Sequence, residues 1–229
     1  MTQDNKTASV TEAKTSSTTT GSSSFLRALQ HWSGVAFSVF ASLHVATTVS
    51  ASVSPATYDL VLEKTRGIYR PNMMMEGLVV FAPLVVHMIA NSLIFMSGKK
   101  STATANTSLA KKLHTYTGYA LGALVPMHIF GTRFMHSYAG SFASIAFAAE
   151  KEIGQGAAMG YFGLLLTSGV YHSIYGLNVA LGYKLKKPVV LASIVAVLAA
   201  SYYGALGLLG YLYPDQMVAV RAKYDQFAH

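Results

Sequence analysis

Five runs of roughly 20 uncharged, mostly apolar residues leave this chain few ways to fold. They lie near 26–49, 73–97, 113–133, 156–182 and 188–213. A hydrocarbon core about 30 Å thick is crossed by about 20 helical residues, so each run has the length of a transmembrane helix. The bulk composition agrees: 52% of the 229 residues are hydrophobic and 11% are charged, against about a quarter charged in an average soluble domain. Breakers fall between the runs. Pro55 and Pro71 bracket the first connection, Ser97-Gly98-Lys99-Lys100 closes the second run, and Pro188 opens the fifth, where the missing N–H is harmless. Pro83 and Pro126 fall inside the second and third runs. Membrane helices tolerate such prolines, and local kinks are expected there.

The remaining segments are short. Residues 1–24 are Ser/Thr-rich with almost no large apolar side chain, so they are expected to be a disordered tail. They contain no apolar stretch that would serve as a secretory signal and no arginine of the kind a mitochondrial presequence carries, which points to an internal address. The expected organisation is a transmembrane bundle over 25–214 and a polar tail over 215–229. The net charge of +8 and pI near 9.6 come from basic residues at the ends of apolar runs, a distribution that suits anionic lipid headgroups rather than nucleic acid. Cysteine is absent. That excludes disulfides, thiolate-ligated or covalently attached c-type haem, and cysteine-ligated iron–sulfur clusters.

Within the bundle the sequence repeats. Ser33-Gly34 followed by His44 recurs 84 residues later as Thr117-Gly118 followed by His128, and His87 recurs 85 residues later as His172. Repeat one spans 26–100, repeat two 110–187, and a fifth helix follows over 188–213. An ionisable side chain at membrane depth is rare and usually functional, and paired imidazoles hold b-type haem between helices. The depths fit a pairing. His44 and His128 lie 17 and 16 residues beyond Arg27 and Lys112, about 24 to 26 Å across at 1.5 Å per residue. His87 and His172, on helices running the opposite way, each lie 12 residues before a lysine at that same starting face, Lys99 and Lys184, about 18 Å deep. A pseudo-two-fold axis would set His44 against His128 and His87 against His172 as axial ligands of haem iron. The two levels are then only about 6 to 8 Å apart by the same rise, so the spacing leaves one haem or two open. A metal site without haem is disfavoured, because no carboxylate or thiolate lies within the runs to complete it. His31 and His114, near the polar boundary, and His229, at the terminus, are not favoured ligands.

The stretch Tyr171-His172-Ser173-Ile174-Tyr175-Gly176-Leu177-Asn178 resembles the second-helix motif of the cytochrome b subunits of succinate dehydrogenase and fumarate reductase, in which a haem-ligating histidine precedes a glycine by four. His114, Thr117 and Gly118 resemble the opening of that family's first helix. The resemblance implies a ligand role for His172. It also implies weak quinone binding, because Thr115 and Asn178 stand where that family places arginines. Over residues 26–213 the duplicated layout with internal histidines is more similar to the mitochondrial adapter family of fungi and related eukaryotes. That likeness implies an outer-membrane rather than an inner-membrane location in the mitochondrion, a role in lipid homeostasis among membrane lipids, and recruitment of a lipid-transfer protein through a proline-containing motif. Residues 1–24 contain no proline, so this tail does not supply that route.

The expected fold is therefore an all-α membrane protein of five transmembrane helices, two pseudo-symmetric two-helix repeats plus a fifth helix, in a cytochrome-b-like bundle. The expected cofactor is haem b, one or two, on His44, His87, His128 and His172. The expected role is that of an adapter rather than an enzyme; the alternatives are an electron-transferring cytochrome b anchor subunit and a purely structural bundle.

Overall fold

The computed structural model describes residues 19–97, 108–134 and 140–225, and its regular structure there is helical throughout. Residues 1–18, which hold most of the expected tail, and the Lys99-Lys100 boundary lie outside the described residues. Helix α1 (Thr19–Ser50) also takes in the last residues of that Ser/Thr-rich stretch. Once a helix is nucleated, each further residue adds a hydrogen bond without the cost of nucleation, so a helix anchored by packing extends into flanking residues.

Helix α2 (Pro55–Tyr69) occupies the first connection; Ser54 caps it by accepting from Thr57 N–H at 3.0 Å, and Pro55 opens its first turn. Next come α3 (Met73–Glu76), a π turn (Gly77–Phe81) and α4 (Ala82–Met96), which join into one rod over Met73–Met96. Helix α5 (Leu109–Ile129) runs into a second π turn (Phe130–Phe134), and α6 (Phe142–Phe147) into a third (Ala148–Ile153). Helices α7 (Gln155–Ala180), α8 (Lys187–Leu208) and α9 (Pro214–Asp225) complete the chain. One π turn stands directly before Pro83, and another begins four residues after Pro126, which itself lies within α5. A proline offers no N–H to the carbonyl four residues back, and the turn before Pro83 shifts register, with Ala82 N–H donating to Gly77 O.

Among the described residues three helices are long and apolar enough to cross a membrane: Ser24–Ser50, Met73–Met96 and Lys187–Leu208. Helices α5 and α7 lie where the third and fourth runs were expected and contain 21 and 26 residues. Composition does not single them out as spans, because Lys111, Lys112, His114, Thr115 and Thr117 on α5 and the Gly, Ser, Thr and Tyr content of α7 dilute their hydropathy. Large apolar side chains stand exposed along the outer faces of the bundle, among them Val39, Val85, Ile89, Leu93, Leu191 and Val195. An apolar exterior over helices of this length is the surface a bilayer covers.

The bundle is built from pairs. Helix α1 packs along α4, α5 along α7, and α8 against both α1 and α7. The α8–α1 contact is close because glycines form it. A Cβ at Gly204 would sit 2.3 Å from the Thr48 carbonyl oxygen, and one at Gly207 would sit 2.3 Å from that of Ala51. Small residues let helix backbones touch in this way. At the end of α1 and α8, helices α2, α6 and α9 form a cap whose core includes Ala51, Tyr58, Leu62, Phe142, Leu208 and Met217. Three long-range hydrogen bonds tie it: Tyr58 OH to Gly140 O at 2.9 Å, Phe142 N–H to Asp59 Oδ1 at 2.8 Å, and Tyr213 OH to Ala51 O at 2.9 Å. Residues 215–225, expected as a polar tail, are thus mostly helix α9, held by the buried Met217.

Candidate functional site

His87 on α4 and His172 on α7 face each other, with ring centroids 6.3 Å apart and planes at 79°. Each imidazole is held by the same device. His87 Nδ1 lies 2.9 Å from the Gln30 carbonyl oxygen on α1, and His172 Nδ1 lies 3.0 Å from that of His114 on α5. A carbonyl only accepts, so Nδ1 carries the proton and Nε2 is left with its lone pair for a ligand. Gln30 and His114 are separated by the 84-residue repeat, so the two halves fix their histidines identically.

The glycines of the Ser-Gly and Thr-Gly pairs make this possible. A Cβ at Gly34 would lie 2.9 Å from His87 Cε1 and 3.0 Å from its Nδ1; one at Gly118 would lie 2.9 and 3.3 Å from the same atoms of His172. Only a residue without a side chain lets the ring reach the carbonyl four residues before it. Ser33 adds its hydroxyl 3.5 Å from His87 Nδ1.

The repeats then diverge. His114 stacks on His172, with centroids 4.1 Å apart and planes at 13°, and it fits because a Cβ at Gly176 would come within 3.1 Å of its Cε1. His114 therefore belongs to this site as a packing partner, a role that its place near the polar boundary concealed. His31 stays outside, exposed and edge-on to Trp32.

The second pair lies toward the cap. His44 on α1 and His128 on α5 have centroids 5.7 Å apart and planes at 67°. Phe40 stacks on His44, Tyr69 of α2 meets Phe40 edge-on at 4.9 Å, and Phe162 of α7 meets His128 edge-on at 6.3 Å. His128 Nδ1 is buried and has no hydrogen-bond partner among the described residues, and the same is true of His114 Nδ1. Beside Tyr69 stands a charged cluster. Buried Glu76 forms an ion pair through Oε2 with Arg70 Nε at 3.3 Å and accepts there from an Arg133 terminal nitrogen, also at 3.3 Å, and Arg66 hydrogen-bonds Tyr69. Burial raises the Tyr69 hydroxyl above the ordinary tyrosine range, and Arg66 draws it partly back.

The structure brings all four sequence-predicted histidines into the two expected pairs, but it places the levels farther apart than the lysine spacing suggests. His87 sits against Gly34, ten residues from His44 on the same helix, which at 1.5 Å per residue is about 15 Å along the axis. His172 against Gly118, ten residues before His128, gives the same about 15 Å. The estimate of about 6 to 8 Å fails because charged residues in connections mark helix ends poorly.

What these pairs offer is two imidazole nitrogens each. Two imidazoles binding one metal ion from opposite sides hold their nitrogens about 4 Å apart, twice the imidazole–metal bond, and their ring centres roughly 6 Å apart. Both observed separations lie close to that value. Among the described residues no group of three or more His, Asp or Glu side chains converges as a metal cage. No family model, curated protein or solved structure matches this chain.

Proposed function

We propose that this chain is a membrane haem protein holding two b-type haems, one between His44 and His128 and one between His87 and His172. The observation that carries this reading is the pair of imidazole separations, 5.7 and 6.3 Å, each suited to an ion ligated from both sides. Two further features support it. A pair of histidines supplies only two ligands, and a porphyrin brings the other four nitrogens with it. The Nδ1 bonds of His87 and His172 to backbone carbonyls are the outer contacts that metal-ligating histidines ordinarily carry. The separation of about 15 Å between levels leaves room for two macrocycles.

In this reading α5 and α7 cross the membrane with the three apolar helices, giving five spans in a cytochrome-b-like bundle. The connections then alternate, with α2, α6 and α9 at one face. Each haem would be held by two histidines, His44 with His128 and His87 with His172, and would supply electron exchange rather than oxygen chemistry.

The cellular role we propose follows the resemblance to the mitochondrial adapter family: membrane lipid homeostasis at the mitochondrial outer membrane. Two haems stacked across the bundle also favour a second reading, an electron-transferring subunit. The test of the ligand assignment is spectroscopic. His87→Ala and His172→Ala are expected to remove the same low-spin component, and His44→Ala and His128→Ala the other. Loss of different components from His87→Ala and His172→Ala would refute the pairing. Deletion cells separate the roles: the adapter reading expects altered membrane lipid composition with intact respiration, and the electron-transfer reading expects the reverse.

A further inference from the structure

Charge is sorted between the two ends of the bundle. Among the described residues every Asp and Glu lies at the cap end, on α2, at the head of the Met73–Met96 rod, in the third π turn or on α9. The far end is formed by the first turns of α1, α5 and α8 and the last turns of α4 and α7. It carries Arg27, Lys111, Lys112, Lys184, Lys186 and Lys187, all exposed, and no acidic side chain among the described residues.

Five of these six cations are gathered at one corner, and the fold holds them there. Lys111 and Lys112 stand in the first turn of α5, and Lys184, Lys186 and Lys187 lie where α7 turns into α8. Buried Asn178 shapes that turn: its Oδ1 accepts from Leu185 N–H at 3.1 Å, and its carbonyl oxygen accepts from Tyr183 N–H at 2.8 Å. Tyr183 has a φ of 59°, a left-handed conformation that residues with a side chain seldom adopt. Its ring meets Tyr175 edge-on at 6.5 Å, and Tyr175 lies against His114 of α5 at 5.2 Å. Tyr171 OH adds a bond to Ala110 O at 3.0 Å. The turn is thereby pinned to the start of α5, and the two groups of lysines share one rim.

The outer wall of this corner is apolar. Leu109 and Leu113 beside the α5 lysines, and Leu185 and Val189 beside those of the turn, are exposed, as are the rings of Tyr116 and Tyr183. Cations and exposed apolar groups at one level suit a two-phase surrounding, with headgroups at the rim and acyl chains along the wall: lysine stems lie on apolar surface while their ammonium groups reach the headgroups, and tyrosine is favoured at that boundary. A soluble acidic partner would use the cations alone and leave the wall uncovered.

We propose that Lys111, Lys112, Lys184, Lys186 and Lys187 form a binding surface for phospholipids of net negative charge in the adjacent leaflet. The cap end, where cations and carboxylates are mixed, does not select them. This rests on the reading of α5 and α7 as membrane-crossing and is independent of the haem reading. Each lysine near a membrane surface strengthens attraction to anionic lipid by about fivefold, or about 1 kcal/mol.

The test uses the full chain in uncharged detergent, titrated with phosphatidylserine and separately with phosphatidylcholine. Binding is read as lipid retained in native mass spectrometry and as the rise in unfolding midpoint. Phosphatidylserine is expected to bind more tightly, by a margin that shrinks as salt is added. The triple variant Lys184→Gln, Lys186→Gln, Lys187→Gln should lose about tenfold or more of its phosphatidylserine affinity. Its phosphatidylcholine binding and its unfolding midpoint without lipid should not change, because these side chains are exposed. Replacing Lys64→Gln and Lys151→Gln, exposed cations of the cap end, should leave the preference as it was. A triple variant that keeps its preference, or a cap-end variant that loses as much, would overturn the proposal. So would a soluble polyglutamate peptide that binds at physiological salt and displaces phosphatidylserine, since the corner would then serve an acidic protein. The chain has no cysteine of its own, so single cysteines from Ile153→Cys and Leu185→Cys test the crossing separately. They should be labelled from opposite sides of sealed vesicles, and labelling from one side would overturn the crossing of α7 and the proposal with it.

Discussion

Replacing Gly118 with alanine tests the structural reasoning at the atom level. The new Cβ would lie 2.9 Å from His172 Cε1 and 3.3 Å from Nδ1, closer than carbon atoms pack. The imidazole is not a free end that swings aside, because it is bonded to the His114 carbonyl at 3.0 Å and covered by the His114 ring at 4.1 Å. It has to leave that carbonyl, at a cost of about 0.5–1.5 kcal/mol. Alanine meanwhile favours the helix over glycine by roughly 0.5–1 kcal/mol, so the net change in fold stability is small. Ligand geometry does not enjoy that compensation. Loss of an outer contact to a metal-ligating histidine typically weakens metal affinity by about 10–100-fold, and that is the weakening expected for haem at the His87/His172 pair. Gly122, one turn away on α5, has nothing within 4 Å of a built Cβ, so Gly122→Ala should retain both haems and gain slightly in stability. The assay is haem titration followed by low-spin absorbance, beside thermal unfolding in the same detergent. A Gly118→Ala protein that binds haem at this pair as tightly as the Gly122→Ala protein would refute the account of why the glycine is there.

Other perturbations follow from the packing and the charges. Gly204→Ala drives a Cβ into the Thr48 backbone oxygen at 2.3 Å, where no side chain gives way; overpacking of this kind costs about 1–3 kcal/mol, and the unfolding midpoint should fall accordingly. Glu76→Ala removes the acceptor shared by Arg70 and Arg133, whose side chains keep 29% and 30% of their exposure; the expected loss is about 1–3 kcal/mol, below that of a fully buried pair, and it should shrink when Arg70 is replaced as well, as a double-mutant cycle would show. Tyr58 is buried and its hydroxyl is raised well above the ordinary value, mainly by desolvation. Its contribution to stability is complete below pH of about 10 and is lost as pH rises through the folded value. Tyr58→Phe should cost about 1 kcal/mol at neutral pH by removing the bond to Gly140 O, and it should flatten the alkaline decline seen in pH-dependent unfolding.

Much of this fold was legible because long apolar runs favour helices: a helix stands at each of the five expected places, and among the described residues three of them are long and apolar enough to cross a membrane. The helices in the connections were less visible, although Tyr58, Leu62, Thr65 and Tyr69 carry the spacing of a helix with one buried face. They bury only a short stripe, and the prolines at either side read as a loop. The histidine pairing was legible from the 84-residue repeat, yet the meaning of its Ser-Gly and Thr-Gly members was not. They precede His44 and His128 in sequence but serve His87 and His172, because the antiparallel partner helix brings those rings to the same level. Sequence distance along one helix shows nothing of what the neighbouring helix delivers. His114 was passed over for the same reason: its ring turns inward onto His172 only because Gly176 on α7 leaves the space.

The most direct test of the central claim is the haem content of the purified, monodisperse full-length protein, measured as the pyridine haemochrome against protein concentration after expression with ample haem supply. The account predicts two non-covalent b-type haems per chain, with the sharp reduced bands of low-spin, bis-histidine iron. A well-folded protein that carries no haem, and takes up none on titration, would contradict it.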